Sequence, residues 1–201
     1  MIRYHISLIL LLLAACVVQQ FLPAVTSFFD VRVLLVQLVF ICCVVTVGFS
    51  PMLLLAFISG FLWDANNSLG PQGGDAEVYL YPADSLRFGY SIILFALMGI
   101  IMQGIQPIFR NGMWHLSAII AGGVISLYLL TEYLLINFVR GEWIFPAHVF
   151  HQIWMTAVFS TLCSPPVFWL LFKLADWFGY TIRYDGLKRR YFNAETYKLE
   201  S

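Results

Sequence analysis

Six apolar runs, separated by short polar stretches, constrain the fold of this chain more than any other feature. The runs lie at about residues 6–22, 33–49, 51–63, 88–105, 115–139 and 147–174. A membrane-spanning helix needs about 20 mostly apolar residues, with a range near 17–25. The chain is 61% hydrophobic and 11% charged, whereas soluble domains are about 45–50% apolar and about 25% charged. We therefore expect an all-α membrane protein, in which residues 1–175 form a bundle of six transmembrane helices.

Prolines indicate how the third and sixth runs fold. Ser50 suits an N-cap, and Pro51 suits the first helical turn, where its missing N–H leaves no bond unmade. The sequence Gly48-Phe-Ser-Pro51 therefore predicts a tight turn between the second and third helices. Pro165 and Pro166 predict a kink in the sixth run, or the end of its regular part.

The distribution of basic residues predicts the orientation of the bundle. Six spans place both termini on one side of the membrane, and three basic residues, Arg32, Arg87 and Arg140, fall on the opposite side. The other eight lie on the side of the termini, six of them between residues 173 and 198. Because positive residues collect in the cytoplasm, we expect both termini inside a bacterial inner membrane. The outer loop 64–87 then faces out, and residues 176–201 form a basic, aromatic cytoplasmic tail that either lies on anionic lipid or serves as a plain orientation signal.

Net charge and cysteine placement exclude some classes of protein. The net charge is zero, so no overall field favours nucleic acid. The four cysteines lie in apolar runs without the spacing of a zinc site, which is typical of packing residues. We expect no metal and no cofactor. Leu13-Ala-Ala-Cys16 has the form of a bacterial lipoprotein cleavage box, but the apolar run continues beyond it and favours a retained first helix.

Glu132 is the main intramembrane polar candidate. It lies about two helical turns inside the fifth span, where an ionisable group is costly and marks a functional candidate. His148, His151 and Gln152 begin the sixth span and are its candidate partners. A hydrogen bond from Glu132 to His151 or Gln152 would hold two helices together. A protonated, buried Glu132 and a Glu–His–His metal site are the alternatives.

Other polar and small residues predict contacts between helices. Gln103 and Gln106, three residues apart near the end of the fourth span, are candidate interhelical hydrogen-bond donors. Ala118, Gly122 and Ser126 recur every four residues on the fifth span. Small residues at this spacing let two helix backbones approach closely, so they predict a packing face.

The segment Phe57-Ile-Ser-Gly-Phe-Leu-Trp-Asp64 ends the third apolar run on a carboxylate. Gly60 would let a neighbouring helix come close. Asp64 falls at the unfavourable, C-terminal end of its helix dipole, so we expect it to have a partner. The candidates are backbone N–H groups of the following turn and Arg87 at the far end of the outer loop.

This segment, followed by a polar outer loop and Leu86-Arg-Phe-Gly89-Tyr-Ser91, resembles MreD, the rod shape-determining membrane protein family of bacteria. Gln19-Gln-Phe-Leu-Pro23 and Phe29-Asp-Val31 also resemble the family's pattern. The resemblance covers about residues 5–175, and Gly60, Asp64 and Gly89 match the motif. It implies a compact six-helix bundle similar to the substrate-binding subunits of energy-coupling-factor transporters. It further implies a non-enzymatic scaffold that binds MreC and links cytoskeletal MreB to peptidoglycan synthesis during cell elongation.

Two other functions remain open on the residues alone. A small-molecule binding or transport subunit of the energy-coupling-factor type would place a pocket near Glu132, His151, Trp143 and the outer loop. An intramembrane enzyme would use Glu132 and His151 as acid and base. The sequence contains no Gly-x-Ser-x-Gly, HExxH or phosphate-loop motif, so we expect no catalytic residues. The expected partners are an MreC-like membrane protein, the wall-synthesis complex, membrane lipids and a second copy of the chain.

Overall fold

The computed structural model describes residues 2–22, 33–67, 88–109, 114–141 and 146–180, and these are helical with short connections. The seven helices are α1 (Ile2–Phe21), α2 (Leu35–Thr46), α3 (Phe49–Asn67), α4 (Tyr90–Phe109), α5 (Trp114–Arg140), α6 (Ala147–Leu162) and α7 (Ser164–Trp177). Most of the predicted outer loop, including Arg87, and most of the predicted tail lie outside the described residues.

Three helices are long and apolar enough to cross a membrane: Ile2–Phe21, Phe49–Asn66 and Ala118–Val139. The bent pair α6–α7 adds a fourth if it is one span, and two apolar helices, Leu35–Thr46 and Tyr90–Gln106, are shorter. The described chain is therefore an all-helical membrane protein with three or four spans by length and composition, where six were predicted. The second run gives a helix of 12 residues, about 18 Å long, against a hydrocarbon core of about 30 Å.

The short helix α2 lies at the centre of the bundle, in contact with α1, α3, α4, α5 and α7. All of its residues from Val36 to Thr46 are buried. The surrounding helices place one face on this centre and the other outward: in α1, Leu8 and Leu12 are buried, whereas Ile6 and Leu10 are more than half exposed. The apolar outer faces suit lipid, and α2 itself is surrounded by protein.

Helix α3 extends beyond its predicted limits at both ends. The Met52 N–H donates to the Gly48 carbonyl (3.1 Å), so Ser50 lies inside the first turn and is not the N-cap, as we had expected. Pro51 does occupy the first turn, where its missing N–H is tolerated. The helix continues to Asn67, beyond the predicted end at residue 63, and Asp64 lies in its last turn, at the C-terminal end of the helix dipole as expected.

The sixth run divides into two helices at Cys163, with a bend of 40° between them. Pro165 and Pro166 lie in the first turn of α7, where a proline needs no intrahelical hydrogen bond. The Cys163 N–H still donates to the carbonyls of Phe159 and Ser160, so α6 ends with its last turn closed. The kink predicted from the two prolines is confirmed.

The start of α1 and the end of α7 lie together. The rings of Tyr4 and Tyr180 stack with their centroids 4.2 Å apart. The Tyr4 hydroxyl also donates to Thr46 Oγ1 (2.9 Å) at the end of α2. Both ends of the described chain are therefore at the same end of the bundle.

Candidate functional site

Helices α3 and α4 pack on each other more extensively than any other pair, and Gly60 lies where they come closest. A Cβ atom placed on Gly60 would lie 2.5 Å from Ile92 Cα and 2.6 Å from Ile92 N. Both are backbone atoms, so no side-chain rotation would relieve the clash. The glycine therefore permits the direct backbone-to-backbone approach that its sequence context predicts.

Asp64, one helical turn beyond Gly60, connects α3 to the start of α4. Its carboxylate is 5% exposed, and its Oδ2 accepts a hydrogen bond from the Gly89 N–H (2.6 Å). Gly89 precedes α4 and has a φ of +101°, which residues with a side chain rarely adopt. The carboxylate thus leaves the unfavourable end of one helix dipole and satisfies an N–H at the favourable end of the next.

We call Gly60, Asp64, Gly89 and Ile92 the α3–α4 joint. The backbone N–H that Asp64 binds belongs to Gly89, 25 residues further along the chain, and not to the turn directly after α3, which lies outside the described residues. The predicted pair with Arg87 lies outside the described residues and stays a prediction.

A buried polar cluster lies between α2, α4 and α5. It consists of Gln37, Ser91 and Tyr128, whose side chains are 0%, 2% and 2% exposed. The Tyr128 hydroxyl lies against the side chains of Gln37 and Ser91. Neither this hydroxyl nor either polar atom of Gln37 satisfies the geometry of a hydrogen bond with the described residues. The three polar side chains thus face one another inside the bundle without well-aligned hydrogen bonds.

Glu132 lies next to the polar cluster. It follows Tyr128 by four residues on α5, so the two side chains share one face of the helix. The Glu132 side chain is half-buried, and its carboxyl is within electrostatic range of Asp64 and of the Tyr128 hydroxyl. The bundle thus brings Glu132 and the α3–α4 joint to one region, a proximity that sequence spacing did not predict.

The predicted pairing of Glu132 with the start of α6 is not observed. His148 and His151 are exposed and Gln152 is half-buried, and the His151 Nδ1 atom pairs with the carbonyl of Ala147 in its own helix (2.9 Å). Among the described residues, no three His, Cys, Asp or Glu side chains form a group that could hold a metal ion.

The two glutamines of α4 complete the end of the central helix. Gln103 Nε2 donates to the carbonyls of Val44 (3.0 Å) and Val47 (2.8 Å). Gln106 Nε2 donates to the Val45 carbonyl (2.7 Å). The last carbonyls of a helix have no partner within it, and these two side chains supply donors to them. The prediction that Gln103 and Gln106 donate hydrogen bonds between helices is therefore confirmed.

The other end of α2 is completed in the same way. Gln19 on α1 accepts from the Leu35 N–H through Oε1 (2.6 Å) and donates from Nε2 to the Val33 carbonyl (2.9 Å). Ser160 Oγ lies 3.5 Å from the Leu34 N atom. Side chains from three other helices thus satisfy both ends of α2.

Helices α5 and α6 pack through small residues. A Cβ on Gly122 would collide with Thr161 Oγ1, and Ala118 and Ala157 are buried nearby in sequence on the two helices. The packing face predicted on α5 is therefore present at Gly122.

An apolar groove lies between α4 and α5 and is bounded by Leu94, Met98 and Tyr128 among others. Its volume is only about 10 Å³, room for about one water molecule.

Fold and site together define the class of this chain as an all-helical membrane protein with a buried polar cluster beside a tight helix joint. No protein-family model, curated protein or solved structure matches it.

Sequence reasoning singled out Glu132 and the α3–α4 joint but missed the polar cluster. Gln37 is the only amide side chain in the second apolar run, so the sequence could have marked it as a buried polar candidate. Tyr128 gave a second one, since it precedes Glu132 by four residues. Ser91 carried no signal, because a serine at the start of a span is common.

Proposed function

We propose that this protein is a non-enzymatic scaffold of the bacterial cell-elongation machinery, of the MreD type. It binds an MreC-like membrane protein and links cytoskeletal MreB to the enzymes of peptidoglycan synthesis. The proposal rests on the sequence resemblance, which the geometry of the joint supports.

The single observation that carries the proposal is the α3–α4 joint. Gly60, Asp64 and Gly89 are the three positions that match the MreD motif, and they meet in space: the glycine admits Ile92, and the carboxylate binds the Gly89 N–H. A motif that fixes how two helices pack and where α4 begins suits a protein that binds its partners through a rigid surface. This is a physical reason for these three residue types to occur together.

The proposed topology has six crossings of the bacterial inner membrane, with both termini in the cytoplasm and a bundle similar to the substrate-binding subunits of energy-coupling-factor transporters. The stacking of Tyr4 on Tyr180 supports an even number of crossings, because it places both ends of the described chain at one end of the bundle. The central position of α2 explains how a helix of 12 residues can be one of the six, since protein surrounds it.

A mild-detergent pull-down of the tagged protein, followed by mass spectrometry, tests the proposal. We expect an MreC-like protein and wall-synthesis enzymes in the eluate. Asp64→Asn should lower their capture at unchanged membrane abundance, because it weakens the bond that fixes the start of α4. Asp176→Asn, which changes an exposed carboxylate at the end of α7, is the matched control and should leave capture unchanged.

Two results would contradict the scaffold. An eluate with transport ATPases or a bound small molecule, and without wall-synthesis partners, would favour the binding subunit of energy-coupling-factor type. Equal loss of capture in Asp64→Asn and Asp176→Asn would show that the joint has no specific part in partner binding.

A further inference from the structure

Helix α7 carries a positive charge on its outward face. Lys173 is exposed there between Trp169 and Trp177, whose side chains are 63% and 82% exposed. The three residues recur every four positions, so they share one face of the helix, and the opposite face packs on the bundle through the buried Phe168 and Leu171. Because the apolar outer surface of the bundle suits lipid, a charged side chain on it is costly unless an opposite charge neutralises it.

The described part of the chain offers Lys173 an aromatic ring but no carboxylate. Its Nζ atom lies 4.9 Å from the centroid of the Trp169 ring, which attracts a cation but has no net charge. Asp176 is the nearest acidic residue in sequence, but the lysine side chain runs in the other direction along α7, toward Trp169. The positive charge is therefore directed at the surroundings of the bundle.

The length of the uncharged stretch before Lys173 places this residue at the surface of the hydrocarbon core. Between Gln152 on α6 and Lys173 on α7, the sequence contains no charged or amide side chain. The two residues are 21 positions apart, which at about 1.5 Å per residue is about 30 Å of helix, the thickness of the core. Trp177 then lies beyond the core at the level of the lipid headgroups, where tryptophan side chains collect.

The charge balance favours a ligand that is negative overall. Residues 181–201 follow α7 and contain five basic and three acidic residues, so on balance they add positive charge to this end of the chain. A carboxylate on a partner's span would itself have to enter the membrane, which is costly. The phosphate of an anionic phospholipid already lies at this level, where attraction to a basic residue amounts to about 1 kcal/mol.

We propose that Trp169, Lys173 and Trp177 form a binding site for one anionic phospholipid, of the phosphatidylglycerol type. The ammonium binds the lipid phosphate, and the Trp169 ring holds the ammonium against the surface of α7. The indole N–H of Trp177, at the level of the headgroups, is a donor to the headgroup oxygens. The site is independent of the proposed function, since it uses only the outward face of α7.

Thermal unfolding of the purified full chain in a nonionic detergent tests the site. Phosphatidylglycerol, phosphatidylcholine or inorganic phosphate is added at one pH and one ionic strength. At about ten times its dissociation constant, phosphatidylglycerol should raise the unfolding temperature by about 3–6 °C, whereas the other two should raise it much less. Native mass spectrometry of the same preparation should show one retained phosphatidylglycerol per chain.

Substitutions at position 173 separate a site from a general attraction between charges. Lys173→Met keeps the apolar stem and removes the charge, so phosphatidylglycerol should bind about fivefold more weakly, which corresponds to the contribution of about 1 kcal/mol from one basic residue. Lys173→Arg keeps the charge and should keep the binding. Arg3→Gln is the matched control: it removes an exposed positive charge from the first turn of α1, at the same end of the bundle, and should bind the lipid as the unchanged protein does.

Three outcomes would overturn the proposal. The first is an equal shift with phosphatidylglycerol and phosphatidylcholine. The second is equal weakening by Lys173→Met and Arg3→Gln, which would mean that the lipid responds to the overall charge and not to a site. The third is unchanged lipid binding by Lys173→Met; if that variant also captured fewer proteins in the pull-down, the ammonium would pair with a carboxylate of a partner protein instead.

Discussion

The most direct test of the helix packing is Gly60→Ala. The new Cβ would lie 2.5 Å from Ile92 Cα and 2.6 Å from Ile92 N, whereas non-bonded carbon atoms pack at about 3.5–4.0 Å. Helices α3 and α4 would have to separate by about 1 Å. Overpacking of this kind destabilises by about 1–3 kcal/mol, which for a chain of this size lowers the unfolding temperature by about 2–12 °C.

Gly123→Ala is the matched control for this change. Gly123 also lies inside a helix, and a Cβ placed on it meets no atom within 4 Å. Since alanine favours helix over glycine by about 0.5–1 kcal/mol, the control should be neutral or slightly stabilised. Both variants would be measured by thermal unfolding in the same detergent, with membrane abundance as a second readout.

A double variant, Gly60→Ala with Ile92→Ala, separates the backbone clash from ordinary side-chain crowding. The two nearest atoms belong to the backbone of Ile92, so shortening its side chain should not restore stability. Full rescue by Ile92→Ala, or equal unfolding temperatures for Gly60→Ala and Gly123→Ala, would refute the argument that the two backbones meet at this glycine.

Three further substitutions test other contacts by thermal unfolding. Gln103→Leu should destabilise by about 2–4 kcal/mol, because two buried carbonyls at the end of α2 lose their donor, whereas Gln152→Leu on α6 should change stability by less than about 1 kcal/mol; equal effects would contradict the capping role. Tyr4→Phe should destabilise by about 0.5–1.5 kcal/mol through loss of the bond to Thr46, and an unchanged unfolding temperature would show that this bond contributes nothing. Gly89→Ala should destabilise by about 1–2 kcal/mol because of its positive φ, and a stabilised variant would contradict that conformation.

Local sequence rules predicted much of the helical order. The apolar runs located the helices, and Pro165 and Pro166 located the break between α6 and α7. The same rules misplaced helix ends: Ser50 was expected as an N-cap, but the helix begins two residues earlier, and the third helix was expected to end at residue 63 but continues to Asn67. The choice between neighbouring start positions depends on the few hydrogen bonds of the turn, which apolar periodicity does not report.

Polar contacts were predictable in kind but not in partner. Gln103 was recognisable as an interhelical donor, because an amide in an apolar span needs one. That it donates to the end of α2, and that Glu132 comes near Asp64 while His151 is exposed, depends on how the helices are arranged around one another, which the spacing of residues along one helix does not report.

The dependence of α2 on α4 has a consequence for how the chain is made. Gln103 follows its acceptor Val44 by 59 residues, so it leaves the ribosome well after α2 has been presented to the membrane. Until then, α2 is too short to span a bilayer alone and its last carbonyls are open. The first three helices therefore form an unfinished intermediate, and a nascent chain halted before residue 103 is the form that membrane chaperones and proteases should recognise.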